Sequence, residues 1–243
     1  MEYPLYFLIT YLLSTLFSMA GTGAGIALIP VLHFLGVPFN LAKAVGLFVG
    51  FSTTVTSTVM NFRRKVLDIR FALPLAAAML LFAPLGAQLS RLVDEQIIKT
   101  LFFLFLIFSA TMMLFFRKNA KVHYQSPRVL VAAGTAVGLI SGLLGVGGGN
   151  LLLPVLILLG YAPKKVAVAV SFVVPFAAFG SFVSYATFVQ MDYPLLLSTT
   201  LGAVAGGYTG NYLMHFRLTP SQIKKTVAVI LYLLALKMGL TLF

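Results

Sequence analysis

The chain has 243 residues, 60% hydrophobic and 9% charged, with a mean hydropathy of +1.03; soluble domains carry about 25% charged residues, so water is the wrong solvent for most of it. The net charge of +12 lies in short gaps between apolar runs, not on a polar surface interleaved with aromatics, which excludes a nucleic-acid groove. With no cysteine there is no disulfide framework, no thiol chemistry and no thiolate metal site.

The first apolar segment, Tyr3 to Ala20, ends in Ser18-Met19-Ala20 before Gly21, in the manner of a signal-peptidase site. The acidic Glu2 where a basic flank belongs argues against that reading, as does a counterpart of the segment deep inside the chain. A glycine run, Gly21-Thr22-Gly23-Ala24-Gly25, then interrupts the apolar sequence. A short apolar stretch follows from Ile26 to Leu35, and then three fuller spans at 41–62, 71–91 and 97–116. The second half repeats the plan: Val129 to Leu144, the run Gly142-Leu143-Leu144-Gly145-Val146-Gly147-Gly148-Gly149-Asn150, a short stretch from Leu151 to Leu159, and spans at 166–189, 194–214 and 223–242. The full spans match the ~20 residues that cross a bilayer as helix. The short ones, at ~15 Å, cover half of it.

An offset of 124 places Gly21, Gly23, Gly25, Pro30 and Gly36 on Gly145, Gly147, Gly149, Pro154 and Gly160, and continues through Ser57 and Ser181, Asp68 and Asp192, and Gly86 and Gly210. Two repeats, 1–120 and 125–243, are therefore expected. Charge orients them, because short cytoplasmic loops hold the Lys and Arg excess. The loop with Arg63, Arg64, Lys65 and Arg70 has a counterpart holding only Asp192; the neutral loop from Arg91 to Lys99 has one carrying Arg217, Lys224 and Lys225. With the connector (Arg117, Lys118, Lys121, Arg128) and Lys164-Lys165, the cation-rich loops account for the whole +12. The sides swap between halves. The expectation is an all-α polytopic membrane protein of two inverted-topology repeats, each a broken or re-entrant hairpin plus three transmembrane helices, with 8 to 10 membrane segments and both termini outside.

Glycine costs about 1 kcal/mol per residue inside a helix relative to alanine, and non-helical backbone at membrane depth persists only where it is buried in protein or lines a wet cavity. The helix starting after each break aims unpaired N–H groups and its positive dipole end into it, which makes a backbone anion site. The candidate substrate-binding residues are Gly21, Thr22, Gly23, Gly25, Gly145, Gly147, Gly148, Gly149 and Asn150. The competing reading is that small residues merely let helices pack closely. A nucleotide-binding glycine loop fails, since no strand precedes these runs and no acid follows at the required distance.

The 41–62 span carries Ser52, Thr53, Thr54, Thr56, Ser57 and Thr58. These hydroxyls either line a polar conduit or bond their own preceding carbonyls. Its counterpart carries Ser171 and Pro175, and Pro175 leaves a carbonyl free as hinge or ligand. The pathway-lining set is Lys43, Ser52, Thr53, Ser57, Ser171 and Pro175. Lys43 is read either as a snorkelling interfacial lysine or as a cation drawing anions to the outer mouth. His33 is structural or a proton relay, and three scattered histidines make no metal site. All five acidic residues fall in loops or at helix ends, leaving no buried carboxylate to bind sodium or carry a proton.

The paired motifs Gly21-Thr-Gly-Ala-Gly with Pro30 and Gly145-Val-Gly-Gly-Gly-Asn-Leu-Leu-Leu-Pro154 resemble those of the TauE/SafE sulfite-exporter family, also called the toluene-sulfonate uptake permeases. The first copy departs from the richer glycine run by Thr22 and Ala24. The resemblance covers essentially the whole chain and implies a bacterial or archaeal plasma-membrane exporter of sulfite, sulfonate or a related small organosulfur anion. No cofactor and no enzymatic activity are expected. The expected partners are the small anion and the lipid bilayer, with no nucleic acid, and a homodimer is allowed. The alternatives are a membrane-embedded enzyme subunit, which would need intramembrane acid, base or nucleophile groups, and an assembly factor, which would not need symmetrical helix breaks.

Overall fold

A computed structural model describes residues 3–19, 23–115, 126–213 and 220–242. Ten helices and no strands occur among the described residues: α1 (Tyr3–Met19), α2 (Gly25–Phe34), α3 (Phe39–Arg63), α4 (Ile69–Leu89), α5 (Glu95–Phe115), α6 (Pro127–Leu144), α7 (Gly149–Leu158), α8 (Pro163–Ala186), α9 (Tyr193–Leu213) and α10 (Pro220–Leu242). Each corresponds to a segment read from the sequence. Side-chain caps begin several of them. Asp68 Oδ1 accepts the Phe71 N–H at 3.1 Å, its counterpart Asp192 Oδ1 accepts the Leu195 N–H at 3.0 Å, and Ser126 caps α6 ahead of Pro127.

Six helices, α3, α4, α5, α6, α8 and α10, are long and apolar enough to cross a bilayer, whereas α1, α2 and α7 are shorter. The bundle turns large apolar side chains outward, as with Leu81 on α4, Leu104 on α5, Leu197 and Leu201 on α9, and Leu233 and Leu236 on α10, all more than half exposed. A soluble monomer avoids so continuous an apolar exterior. Lipid is the solvent that accepts it. The chain is a multi-pass membrane protein.

The helices pair across the two halves. α1 packs on α9, α4 on α6 and α8, and α3 on α8 and α9, while α5 lies against α10. Exchanging α1–α5 for α6–α10 maps this set of pairings onto itself. The crossings are made by glycine: a Cβ on Gly142 would run into the Ala83 carbonyl and one on Gly86 into the Leu139 carbonyl, while Gly206 and Gly210 meet the Tyr11 and Thr15 carbonyls in the same way. Backbones approach this closely only where both surfaces are small.

α3 and α8 form the middle of the bundle. The Phe48 and Phe182 rings meet at a tilt with centroids 4.7 Å apart, and those of Phe51 and Phe179 do so at 5.3 Å. Toward the far end of α3, Thr58 donates to the Ser171 carbonyl (2.6 Å) or to that of Thr54 (2.8 Å), and the Asn61 amide donates to Ser171 Oγ at 2.9 Å. That end also holds the Lys165–Asp68 ion pair at 2.8 Å and the Phe71–Tyr161 ring contact. At the other end of α3, Tyr3, Gly36, Pro38 and Asp192 line a cleft of about 400 Å³.

Candidate functional site

The second glycine run is described in full. α6 ends at Leu144 and is capped by Gly145 at φ +76°, with the Val146 N–H bonding the Ser141 carbonyl (3.0 Å), as glycine caps commonly do. The backbone returns to the left-handed region at Gly147 (φ 72°) and Gly148 (φ 80°), where a side chain is penalised. Then α7 begins. The Leu151 and Leu152 N–H groups bond the Gly148 carbonyl, but those of Gly147, Gly148, Gly149 and Asn150 find no acceptor among the described residues. Gly147, Gly148 and Gly149 are buried. Each such unpaired donor in an apolar interior costs several kcal/mol. The end of α6 is thus satisfied while the start of α7 is left with donors to give.

In the first run, Gly21 and Thr22 lie outside the described residues. Gly23 sits over α3, where an added Cβ would come within 3.3 Å of Gly50 Cα and 3.5 Å of Thr53 Oγ1, and Gly25 seats the start of α2 on the backbone of Gly46. The equivalent contacts of the second run are made to side chains of α8: Gly147 faces Ala178 and Val174, and Gly149 faces Val174 and Val170. Both breaks therefore rest on the middle turns of α3 and α8. Among the described residues α2 and α7 share no extensive contact; the first break lies against α3 and the second against α8.

Most hydroxyls of α3 bond to carbonyls of their own helix, while Thr58 also reaches the Ser171 carbonyl of α8. Ser52 donates to the Phe48 carbonyl at 2.9 Å, Thr53 to those of Val49 and Gly50 at 3.0 Å, and Ser57 to that of Thr53 at 3.3 Å. In an apolar interior the nearest free lone pair is one turn back along the same helix. Ser171 joins α8 to Asn61 of α3 and also donates to the Val168 carbonyl at 2.7 Å. Pro175 faces an apolar cleft of about 340 Å³ shared with Phe51, Val55, Leu80 and Phe179. His33 Nδ1 lies 3.2 Å from the Val37 carbonyl and its ring meets Phe39 edge-on, an arrangement that closes the turn after α2.

Lys43 lies fully buried in the protein. Its ammonium donates to Ser90 Oγ at 2.7 Å and stands about 5 Å above the rings of both Phe39 and Tyr185. Its stem runs alongside Gly145: a Cβ there would meet Lys43 Cβ at 2.7 Å and Cγ at 2.8 Å. Tyr185 in turn places its hydroxyl 3.2 and 3.1 Å from the Gly142 and Leu143 carbonyls, donating to the last turn of α6.

Four residues around the breaks were not singled out from the sequence: Ser18, Ser90, Ser141 and Tyr185. Ser18, in the last turn of α1, is 3% exposed with no partner for its hydroxyl among the described residues, and it lies with Thr53 beside Gly207. Ser141 Oγ lies about 3.0 Å from where a Gly148 Cβ would stand. Ser18 and Ser141 occupy the helix turns that feed each glycine run, which was the available signal. Ser90 and Tyr185 reach the site only through the packing of α4 and α8.

An all-helical membrane bundle with hairpins interrupted by glycine, and with unpaired backbone donors at the interruption, has the build of a membrane transporter. The chain belongs to the Sulfite exporter TauE/SafE family, whose model matches residues 6–238. Similar curated proteins carry the same class. A probable membrane transporter protein of Methanocaldococcus jannaschii is 30% identical over 76% of this chain and 72% of its own length. The probable membrane transporter protein YunE of Bacillus subtilis is 27% identical over 81% of this chain and 82% of its own, and a probable membrane transporter protein of Haemophilus influenzae is 25% identical over 88% and 87%. No solved structure matches the chain.

Proposed function

We propose that this transporter exports sulfite, a sulfonate or a related small organosulfur anion across a bacterial or archaeal plasma membrane. The observation that carries the reading is the set of N–H groups at Gly147–Asn150, buried at Gly147, Gly148 and Gly149, that have no acceptor among the described residues; donors at the positive end of a helix are complementary to oxyanions. The family membership supports the organosulfur class. In this reading the anion is held between Gly21, Thr22, Gly23 and Gly25 on one side and Gly145, Gly147, Gly148, Gly149 and Asn150 on the other. Lys43, Ser52, Thr53, Ser57, Ser171 and Pro175 flank the route.

The repeats 1–120 and 125–243 are arranged with inverted topology, and the pairwise exchange of helix contacts between halves supports a twofold relation. Both termini face outward, since that orientation puts the cation-rich loops in the cytoplasm. Export of an anion needs no coupling carboxylate, because an inside-negative potential supplies about 2.3 kcal/mol per charge per 100 mV outward.

The test is flux of radiolabelled sulfite from proteoliposomes of the purified chain at an imposed potential without ion gradients. Wild type is expected to conduct. Gly147→Val, which forces a β-branched residue to φ near +72°, is expected to abolish flux, and the milder Gly147→Ala to reduce it. Flux that appears only with a sodium or proton gradient would refute the potential-driven scheme, and unaltered flux in Gly147→Val would refute the site.

A further inference from the structure

Among the described residues Lys43 is the only charged side chain that is buried. Its nearest companions do not neutralise it. The ammonium has a hydroxyl, Ser90 Oγ, and two ring faces, which soften the loss of hydration without cancelling the charge. Glu95 on α5 is engaged by Lys99 at 2.7 Å, and the Lys99 ammonium lies 5.5 Å from the ring of Phe39, which Lys43 also approaches. Lys43, Lys99 and Glu95 together therefore leave one positive charge. Tyr185 on α8 directs its hydroxyl to carbonyls of α6.

A buried ion without a counter-ion is strongly unfavourable, so a lysine kept at this position calls for something that repays the cost. The glycine run is what lies next to it. Gly145 is the residue whose missing side chain makes room for the Lys43 stem, with Cδ 3.1 Å from where a Cβ would stand. The unpaired N–H groups start two residues later, so Gly147 Cα is within about 7.6 Å of Gly145 Cα along the chain. The stem of a buried lysine and a row of donors with no acceptor among the described residues thus adjoin the same turn. The equivalent position in the other half is Ala167, so the charge is present once in the molecule.

We propose that Lys43 is the counter-charge of the transported anion: the ammonium rests on Ser90 when the site is empty and neutralises a single negative charge when the N–H groups of Gly147–Asn150 take the anion's oxygens. The inference rests on the anion-transport reading and narrows it to monoanions. One buried positive charge balances hydrogen sulfite or an alkanesulfonate. A dianion would leave a net negative charge in the same low-dielectric space.

The experiment is calorimetric titration of the full chain in detergent at mildly acidic pH, with methanesulfonate and hydrogen sulfite as monoanions and sulfate as dianion, for wild type, Lys43→Met and Lys43→Gln. Wild type is expected to bind at least one monoanion at least tenfold more tightly than sulfate. Both variants are expected to lose at least tenfold in that affinity while their ligand-free melting temperatures equal or exceed that of wild type, since removing an unpaired buried charge relieves its cost. Undiminished monoanion binding in the variants would overturn the assignment, and so would a wild type that binds sulfate as tightly as the monoanions. A wild type that binds none of the three would instead overturn the anion-transport reading itself, which separates the two failures.

Discussion

Glycine does two different jobs in this chain, and the surroundings of each residue tell them apart. At Gly142 the helix is regular and the backbone of α4 occupies the space of the missing side chain: an added Cβ would lie 2.8 Å from Ala83 C and 2.9 Å from Ala87 N. At Gly147 the space is open, with Ala178 Cβ at 3.4 Å, but φ is +72°. Gly142→Ala is therefore a packing insult of about 1–3 kcal/mol. Gly147→Ala carries about 1–2 kcal/mol for the left-handed conformation and no collision. Thermal unfolding in detergent should show the larger loss for Gly142→Ala. Equal losses would mean that α4 and α6 can draw apart at little cost.

Helix starts carry information at the next scale. Asp68 and Asp192 occupy equivalent places and cap α4 and α9 through the N–H three residues on; replacing Asp192 by Ala should cost about 1 kcal/mol. Asp68 has an additional partner. The Lys165 ammonium, followed by the Phe71 N–H, holds its carboxyl below the usual carboxylate range. A depressed folded-state value means that the contribution is complete above the unfolded value of about 3.9 and is lost as pH falls through the lowered value. Both side chains of the pair are nearly half exposed, so the effect is small and screened by salt. Asp68→Asn should lower the melting temperature slightly at pH 7 and converge on wild type on acidification, a difference that melting curves across pH would register. A constant offset at all pH values would remove the ion pair from the account.

For the molecule as a whole, the arrangement of the halves is what distinguishes this bundle. α1 is bound chiefly to α9 and α6 to α4, so neither half is a separable body and each hairpin is clamped by the opposite half. The chain has no cysteine, which permits direct mapping of its sidedness with single introduced cysteines. Leu92→Cys and Tyr193→Cys, at residues 80% and 73% exposed, should react with a membrane-impermeant maleimide applied to intact cells. Arg64→Cys should react only after permeabilisation. Labelling of Tyr193→Cys and Arg64→Cys from the same side would rule out inverted repeats, because their loops hold the equivalent Asp192 and Asp68.

The sequence by itself determined the helical segments, the solvent they need, the position of both glycine runs and the family, because each of these follows from local composition or from a motif at fixed spacing. It also located Lys43 but left open whether the residue snorkels or draws anions to the outer mouth. Four carbons of stem on a helix end allow either, and only the approach of α4, α6 and α8 shows that the side chain is enclosed by protein. The hydroxyls of α3 show the same limit: a row of Ser and Thr is equally compatible with a conduit and with bonds to the preceding turn, and the choice depends on what lies opposite. Burial, the place of Lys43 beside Gly145 and the interleaving of the halves were decided by tertiary structure, since each depends on residues a hundred or more positions apart meeting across helices whose facing surfaces glycine leaves bare.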